Sequence, residues 1–167
     1  QDTRAQVTEL LDALEEVKYS TIFTYPNADT GSRVILQMLC EYAERNPRAQ
    51  LIGNFGTQGY WSILKHSIAM VGNSSSGIIE AASIKLPVVN IGDRQKGRVR
   101  GKNVIDVGCT REEIRAGIGE ASSHEFLDSL QNMKNPYGDG HASQLIVERL
   151  KDVELGNLLL QKHFHDN

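Results

Sequence analysis

The chain has 167 residues, of which 40% are hydrophobic and 23% are charged, a balance typical of a soluble globular domain. Its formal net charge of −3 argues against a general nucleic-acid or membrane binder. No apolar stretch reaches the roughly 18 residues of a membrane-spanning helix. The two cysteines, Cys40 and Cys109, form no CxxC motif. We interpret them as reduced thiols of a cytoplasmic protein, with a single disulfide as the alternative.

The chain opens with an amphipathic helix over residues 3–17, where apolar side chains recur at helical spacing. Its first residues lack the basic start and the apolar core of a signal peptide. There is no initiating Met, and the helix begins abruptly. We therefore expect the chain to be part of a longer protein.

Strands and helices alternate along the rest of the chain. β-branched and apolar runs predict strands at 19–25, 49–55, 68–72, 87–92 and 103–108. Asp29 or Thr30 can cap a helix that follows the first strand. Thr110 and Glu113 form a capping-box pattern before another helix. The remaining helices are predicted at 60–67, 77–84 and about 123–131, 141–151 and 153–163.

The strands are short and almost continuously apolar, as expected when both faces of a sheet are covered. Their alternation with helices predicts an α/β fold, a Rossmann-like doubly wound parallel sheet in one domain over residues 1–167. In such folds, ligands bind at the carboxyl ends of the strands. The segments that follow the strands are therefore the places to look for a site.

The serine turn, "NSSSG" at residues 73–77, follows one predicted strand and opens a helix. The hydroxyls of Ser74, Ser75 and Ser76 and the N–H groups of a helix start can bind phosphate. Gly77 would let a ligand approach the backbone. The alternative is that serine caps the helix and glycine serves the turn. The turn matches neither the GxGxxG nor the GxxxxGKS fingerprint.

Two further segments fit a nucleotide. Glu80 lies in the helix after the serine turn, where its carboxylate can accept hydrogen bonds from a ribose diol. The cation loop, residues 93–102, follows a strand end and contains one acid, Asp93, and five basic residues: Arg94, Lys96, Arg98, Arg100 and Lys102. Arginine suits phosphate because its guanidinium is a planar fork of donors. The alternatives are a solvated glutamate, and a solvated loop or an RNA-binding patch.

The other candidates are weaker. Asn27, in "YPNADTGS", follows the first strand, and an Asx turn is the alternative. Tyr60 and Trp61 can stack on a base, although their spacing also suits a core. The terminal "HFHDN" has two histidines without supporting carboxylates, so no metal is assigned. We find no catalytic triad, no HExxH motif and no suggestive carboxylate pair.

Taken together, "YPNADTGS", "VGNSSSGIIEAASIKLPVVNIGDRQKGR" and "NPYGDG" resemble the C-terminal half of the UDP-N-acetylglucosamine 2-epimerase family. The resemblance covers essentially the whole chain. "YPNAD" and "NIGDRQKGR" are similar to the hydrolysing branch, which serves sialic-acid-type sugar synthesis. The non-hydrolysing branch carries His-Arg-Arg-Glu-Asn and Thr-Glu-Arg-Pro stretches at those places, and this sequence has neither.

The resemblance implies the C-terminal domain of a two-domain GT-B fold. It implies that Ser74 and Ser75 hold the diphosphate of UDP and that Glu80 holds the ribose hydroxyls. It places Arg94 and Asn27 near UDP and Tyr60 beside the uracil. The family's acid–base carboxylates lie in the N-terminal half, so the catalytic residues are expected outside this chain and the chain alone is expected to be inactive.

The implied reaction expels UDP from C1 as the C2 proton is lost, which gives a glycal. Water then adds with inversion at C2 and releases N-acetylmannosamine or a related sugar. The resemblance implies no metal and no redox cofactor, and it implies no nucleic-acid or membrane partner. We expect the full-length protein to be a homo-oligomer. The alternative function is the nucleotide-binding half of a GT-B glycosyltransferase, and a further one is a non-catalytic binder of nucleotide or RNA.

Overall fold

The computed structural model describes residues 2–154 and residue 156. The elements, in chain order, are α1 Thr3–Val17, β1 Thr21–Thr24, α2 Ser32–Arg45, β2 Ala49–Ile52, α3 Gly56–His66, β3 Met70–Gly72, α4 Ser75–Ile79, a 3-10 helix Ala81–Ile84, β4 Val88–Ile91, β5 Val104–Val107, α5 Arg111–Ala121, α6 His124–Ser129 and α7 Ala142–Asp152. All five predicted strands are present. The helix predicted at 153–163 and the "HFHDN" segment fall, apart from residues 153, 154 and 156, outside the described residues.

The strands are parallel, and the predicted α/β class is confirmed. The ladder of backbone hydrogen bonds divides them into two groups, β1–β2 and β3–β4–β5. In the second group β4 is central, with Val88 opposite Val104 and Asn90 opposite Asp106. Parallel strands end at the same edge of a sheet, so the loops after β3, β4 and β5 share one side of the molecule.

Consecutive residues of β4 show that the sheet is covered on both faces. Val89 belongs to the larger core cluster, which contains side chains of α1, α2 and α5. Val88 belongs to the second cluster, with Leu64 of α3 and Ala81 of the 3-10 helix. Neighbouring strand residues point to opposite faces, so helices must pack on both. This is the doubly wound arrangement that the apolar strands predict.

A partly buried polar contact joins α1 to α2 at the edge of the larger cluster. The hydroxyl of Tyr42 donates to a carboxylate oxygen of Glu15 at 2.9 Å. The amide of Asn46 donates to the same oxygen at 2.9 Å. Burial, followed by the hydrogen bond to Glu15, raises the pKa of the Tyr42 phenol. Tyr42 and Asn46 are buried, and the exposed carboxylate of Glu15 gives both of them a hydrogen-bond acceptor where the two helices pack.

The helix ends confirm one prediction and correct another. Thr110 and Glu113 form the predicted capping box at the start of α5. The prediction that Asp29 or Thr30 caps α2 is wrong. The N-cap is Gly31, which has a φ of 90° and provides no side-chain hydrogen bond. Glycine adopts that backbone conformation without steric cost, and the carboxylate of Asp29 pairs elsewhere.

The chain divides into two compact units, residues 1–136 and residues 137–167. The first contains every strand and helices α1 to α6. In the second, the structure describes α7, which exposes Leu145, Ile146, Val147 and Leu150. Within the described residues, no helix is both long and apolar enough to cross a membrane. Cys40 and Cys109 are free thiols, as predicted.

Candidate functional site

Arg94 ties together the loops that follow β1, β3 and β4. Its Nη2 donates to the carboxylate of Asp29 at 3.0 Å, in the loop after β1. Its Nη1 donates to the carbonyl oxygen of Asn73 at 3.1 Å, at the start of the serine turn. The guanidinium therefore lies beside the serine turn, as its place at a strand end predicts. Its remaining N–H groups can still meet an anion at this edge of the sheet.

The serine turn is a helix start, but the helix is short. Ser74 is the N-cap of α4, and its hydroxyl oxygen accepts from the backbone N–H of Ser76 at 3.3 Å. The capping interpretation of Ser74 is therefore correct, and its O–H proton remains available to donate. Ser75 follows as the first residue of α4, and its hydroxyl bonds to no other described residue. The predicted helix over 77–84 begins earlier and becomes a 3-10 helix after Ile79.

Gly77 faces the sheet. A Cβ at this position would lie 2.8 Å from Cγ1 of Val88, closer than side-chain packing permits. Its backbone N–H donates to the carbonyl of Ser74 at 3.2 Å. Close packing of α4 on β4 therefore accounts for the glycine. The prediction that Gly77 opens the backbone to a ligand finds no support in this geometry.

Glu80 closes α4, and its backbone N–H donates to the carbonyl of Ser76. One carboxylate oxygen, Oε2, is buried and accepts no hydrogen bond from any residue that the structure describes. A buried acceptor without a donor is costly, and a ligand hydroxyl or an ordered water would relieve the cost. Glu80 is therefore prepared to accept a hydrogen bond, as the assignment to a ribose diol requires.

Tyr60 and Trp61 both pack against the second hydrophobic cluster. The hydroxyl of Tyr60 lies 2.5 Å from Oγ of Ser76, so α3 is hydrogen-bonded to the serine turn itself. The core interpretation therefore accounts for both rings. Tyr60 is close to the serine turn through Ser76, and its predicted place beside a uracil stays a prediction.

Asn27 is exposed in the loop between β1 and α2. Its side chain bonds to no other described residue, whereas Asp29 in the same loop reaches Arg94. The loop as a whole therefore approaches the serine turn and the cation loop through Asp29. The predicted contact of Asn27 with a ligand stays a prediction.

A cavity of about 670 Å³ adjoins this cluster at the ends of β4 and β5. Its lining includes Arg94, Lys96, Arg100, Asp93 and Asp106. Of the predicted UDP-binding residues it contains only Arg94, so it lies beside the serine turn and does not enclose it. A polar cavity of this size can hold a small ligand.

Among the described residues, the groups with a shifted pKa lie away from these loops. Tyr42 is between α1 and α2, and the other two are at the start of α5. The pKa of Glu112 is lowered by a hydrogen bond from its own backbone N–H and then by Arg111. The pKa of Arg111 is raised chiefly by its hydrogen bond to Glu112. Both side chains are exposed, and their pairing is structural.

A model of the UDP-N-acetylglucosamine 2-epimerase family matches residues 1–151. The chain belongs to this family. It is 37% identical over 168 residues to the polysialic acid biosynthesis protein P7 of Escherichia coli, covering 99% of this chain and 43% of that protein. It is 40% identical to the GDP/UDP-N,N'-diacetylbacillosamine 2-epimerase (hydrolyzing) of Campylobacter jejuni subsp. jejuni serotype O:2, also covering 99% of this chain and 43% of that protein. The chain thus spans about two fifths of the length of these relatives, and the family predicted from its motifs is confirmed.

Solved structures of the family agree with the fold. The UDP-GlcNAc 2-epimerase of Neisseria meningitidis, bound to UDP-GlcNAc, superposes with a TM-score of 0.66 and 21% identity, covering 90% of this chain and 41% of that one. The enzyme of Methanocaldococcus jannaschii, in complex with UDP-GlcNAc and UDP, gives a TM-score of 0.68 at 20% identity, covering 89% and 40%. The predicted C-terminal domain of a GT-B fold is confirmed.

Two buried polar residues near the site of this epimerase-family chain were not identified from the sequence, one in the cation loop and one in β4. Gln95 is buried, and its amide donates to the carbonyl of Asn73 at 2.8 Å. Asn90 is buried in β4 and donates to Asp106 of β5 at 2.7 Å. A signal was present for Asn90 and Asp106, because each lies between apolar residues in "PVVNIG" and "NVIDVG". A polar side chain there needs a specific partner.

Proposed function

We propose that this chain is the UDP-binding part of a hydrolysing UDP-N-acetylglucosamine 2-epimerase. The observation that carries the proposal is the contact of Arg94 with the serine turn through the carbonyl of Asn73. Because of this contact, the guanidinium of Arg94 lies near the hydroxyls of Ser74 and Ser75 and near the start of α4, at the carboxyl ends of the strands. The unpartnered carboxylate oxygen of Glu80 supports the same site.

In this proposal the diphosphate lies between the serine turn and Arg94. Ser74 and Ser75 donate hydroxyl hydrogen bonds, and Arg94 provides a charge-assisted donor. Asp29 now shares Arg94, and both side chains are exposed, at 63% and 42%. An exposed ion pair contributes little, so a diphosphate can compete for the guanidinium.

The nucleoside end of the ligand is assigned to Glu80 and Tyr60. The unpartnered Oε2 of Glu80 would accept from a ribose hydroxyl. The hydroxyl of Tyr60 is hydrogen-bonded to Ser76 of the serine turn. Asn27 completes the assignment from the loop after β1. All of these residues lie within the first compact unit, residues 1–136. We propose that residues 1–167 act as a single UDP-binding domain.

The proposed role in the reaction is to stabilise the departing diphosphate. As the C1–O bond of the sugar breaks and the C2 proton is lost, negative charge develops on UDP. Arg94 and the serine turn would be placed to stabilise that charge, as preorganised donors do in other enzymes. Water then adds to the resulting glycal with inversion at C2. We propose that the proton transfers are carried out by carboxylates outside this chain, in the N-terminal half of the full-length protein.

The test is calorimetric titration of the chain with UDP, UMP, GDP and a short RNA. We expect UDP to bind more tightly than UMP, because the second phosphate adds a charge-assisted contact. A stronger response to RNA than to UDP would instead favour a nucleic-acid binder that uses the cation loop. For the full-length protein, release of UDP and N-acetylmannosamine without an acceptor sugar would support the epimerase. A requirement for an acceptor would contradict it and favour a glycosyltransferase.

A further inference from the structure

The cation loop carries one buried side chain. Gln95 is 2% exposed, while Asp93, Arg94, Lys96 and Arg98 around it are exposed. Its Nε2 donates to the carbonyl oxygen of Asn73 at 2.8 Å. Nη1 of Arg94 donates to that same oxygen at 3.1 Å. Two consecutive residues of the cation loop are therefore bonded to one atom of the serine turn.

The loop is also held from the sheet below. Nη2 of Arg100 donates to the carbonyl oxygen of Gln95 at 2.9 Å. Nη1 of Arg100 pairs with the carboxylate of Asp106 on β5. The second oxygen of Asp106 accepts from Nδ2 of Asn90 at 2.7 Å, and Asn90 lies directly opposite Asp106 in the β4–β5 register. A continuous chain of hydrogen bonds thus runs from β4 through β5 to Gln95.

These contacts separate the cations of the loop by role. The terminal nitrogens of Arg100 are committed to Asp106 and to the carbonyl of Gln95. Arg98 is exposed and forms no ion pair with any residue in the described part of the chain. Arg94 alone among these arginines is bonded to the serine turn. The residue beside it, Gln95, donates to the same carbonyl oxygen of Asn73.

We propose that Gln95 and Asp106 are positioning residues, which hold Arg94 against the serine turn in the orientation that receives a diphosphate. This inference rests on the proposed function and adds residues to it. Gln95 is buried and its amide nitrogen is bonded to Asn73, so the role assigned to it acts through Asn73 and Arg94. Asp106 acts one step further away, by fixing Arg100 and thereby the backbone of Gln95. A guanidinium held in place loses less conformational entropy on binding than a free one.

The experiment uses two variants and one matched control in the 167-residue chain. Gln95→Met removes the donor to Asn73 and keeps the side-chain length. Asp106→Asn removes the ion pair with Arg100 and keeps the shape of the side chain. If Gln95→Met does not fold, Asp106→Asn alone tests the positioning of Arg94. Asp93→Asn is the control, because it makes the same charge change in the lining of the same cavity, and its carboxylate bonds to no other described residue.

The first measurement requires no ligand. The Nε–H resonance of Arg94, assigned by its loss in Arg94→Lys, reports whether the guanidinium is ordered. We expect exchange-broadened or averaged signals in Gln95→Met and Asp106→Asn, and an unchanged signal in Asp93→Asn. An unchanged Arg94 signal in the folded variants would overturn the proposal, whether or not UDP binds.

The second measurement compares titrations with inorganic pyrophosphate and with uridine. Pyrophosphate affinity is expected to fall about threefold to tenfold in both variants, the effect of one neutral hydrogen bond. Uridine affinity should not change, because positioning acts on the phosphate end. Equal losses for both probes would mean a general structural role and would overturn the assignment. If the unmodified chain binds neither probe, the proposed function fails, and the Arg94 signal alone decides on positioning.

Discussion

At the scale of single residues, Arg94 has two neighbours with different consequences. The carbonyl of Asn73 holds it at the serine turn, and the carboxylate of Asp29 neutralises it. Both ends of the ion pair are substantially exposed, so its contribution to stability is small. Arg94 can therefore exchange Asp29 for a phosphate without a large loss in the fold.

Replacing Arg94 tests the diphosphate contact. Arg94→Ala should weaken UDP binding by roughly 10- to 100-fold, the value of one charge-assisted hydrogen bond. Arg98→Ala removes the same charge from the same loop, and its side chain is exposed without an ion pair to any described residue, so it should change affinity little. Calorimetry on both variants makes the comparison. Equal losses would show that the loop acts by its net charge and not through Arg94.

Glu80 allows the ribose and the phosphates to be separated. Glu80→Gln should weaken UDP more than pyrophosphate, because an amide accepts a diol hydrogen bond less strongly than a carboxylate. Glu44→Gln, at an exposed position on α2, provides the charge control. Dissociation constants for the two ligands give the answer. A loss of the same size for both would show that Glu80 shapes the serine turn and does not contact the ribose.

At the scale of the elements, two glycines of α5 have opposite environments. A Cβ on Gly117 would lie 2.8 Å from Cγ1 of Val107 and 3.0 Å from Cγ1 of Val89. A Cβ on Gly119 would meet nothing within 4 Å. Gly117 therefore lets α5 approach β4 and β5, whereas Gly119 lies on an open face of the same helix.

This difference predicts opposite effects on the free energy of unfolding. Gly117→Ala should lower it by about 1–3 kcal/mol, because branched valine side chains yield little to an added methyl group. Gly119→Ala should raise it by roughly 0.5–1 kcal/mol, the helix preference for alanine over glycine. Urea unfolding of both variants provides the measurement. Destabilisation by Gly119→Ala would contradict the packing of α5 described above.

At the scale of the whole molecule, the proposed binding site has no acid–base pair among the residues that the structure describes. The charged side chains around the serine turn are Arg94, Asp29 and Glu80, and the first two are bonded to each other. In the proposed function, the carboxylate of Glu80 accepts a hydrogen bond from the ribose. None of these residues is placed to remove a proton from C2 and return one to the opposite face.

We therefore expect the 167-residue chain to fold, to bind UDP weakly and not to turn over UDP-N-acetylglucosamine. It should fold because its two hydrophobic clusters cover both faces of the sheet. Amide NMR spectra at millimolar UDP should show shifts in the serine turn and the cation loop. Coupled detection of released UDP should give no steady rate above a no-protein control. Steady production of N-acetylmannosamine by the purified chain would contradict this expectation.

Much of the fold could be predicted because it depends on local patterns. The strands were located by short apolar runs, and the capping box at Thr110 and Glu113 needs only residues three apart. Local sequence predicts the wrong cap for α2, because aspartate is a good cap by type but Asp29 is bonded to Arg94, 65 positions away in the chain. Local sequence predicts that Gly77 lets a ligand approach the backbone. The contact that accounts for the glycine is with Val88 of β4, and the sequence around Gly77 does not show it.

Three features follow from the sequence alone: the family, the alternation of strands and helices, and the position of the serine turn and the cation loop after two strand ends. These features follow from side-chain periodicity and from motifs that are contiguous in the chain. Three other features are visible only in the folded chain: Gln95 is buried, Asp106 pairs with Arg100, and Tyr60 is hydrogen-bonded to Ser76. Those contacts join residues on different elements, and they depend on which strands are neighbours and in what register. The physical reason is that a hydrogen bond depends on distance in space, which the fold sets independently of separation along the chain.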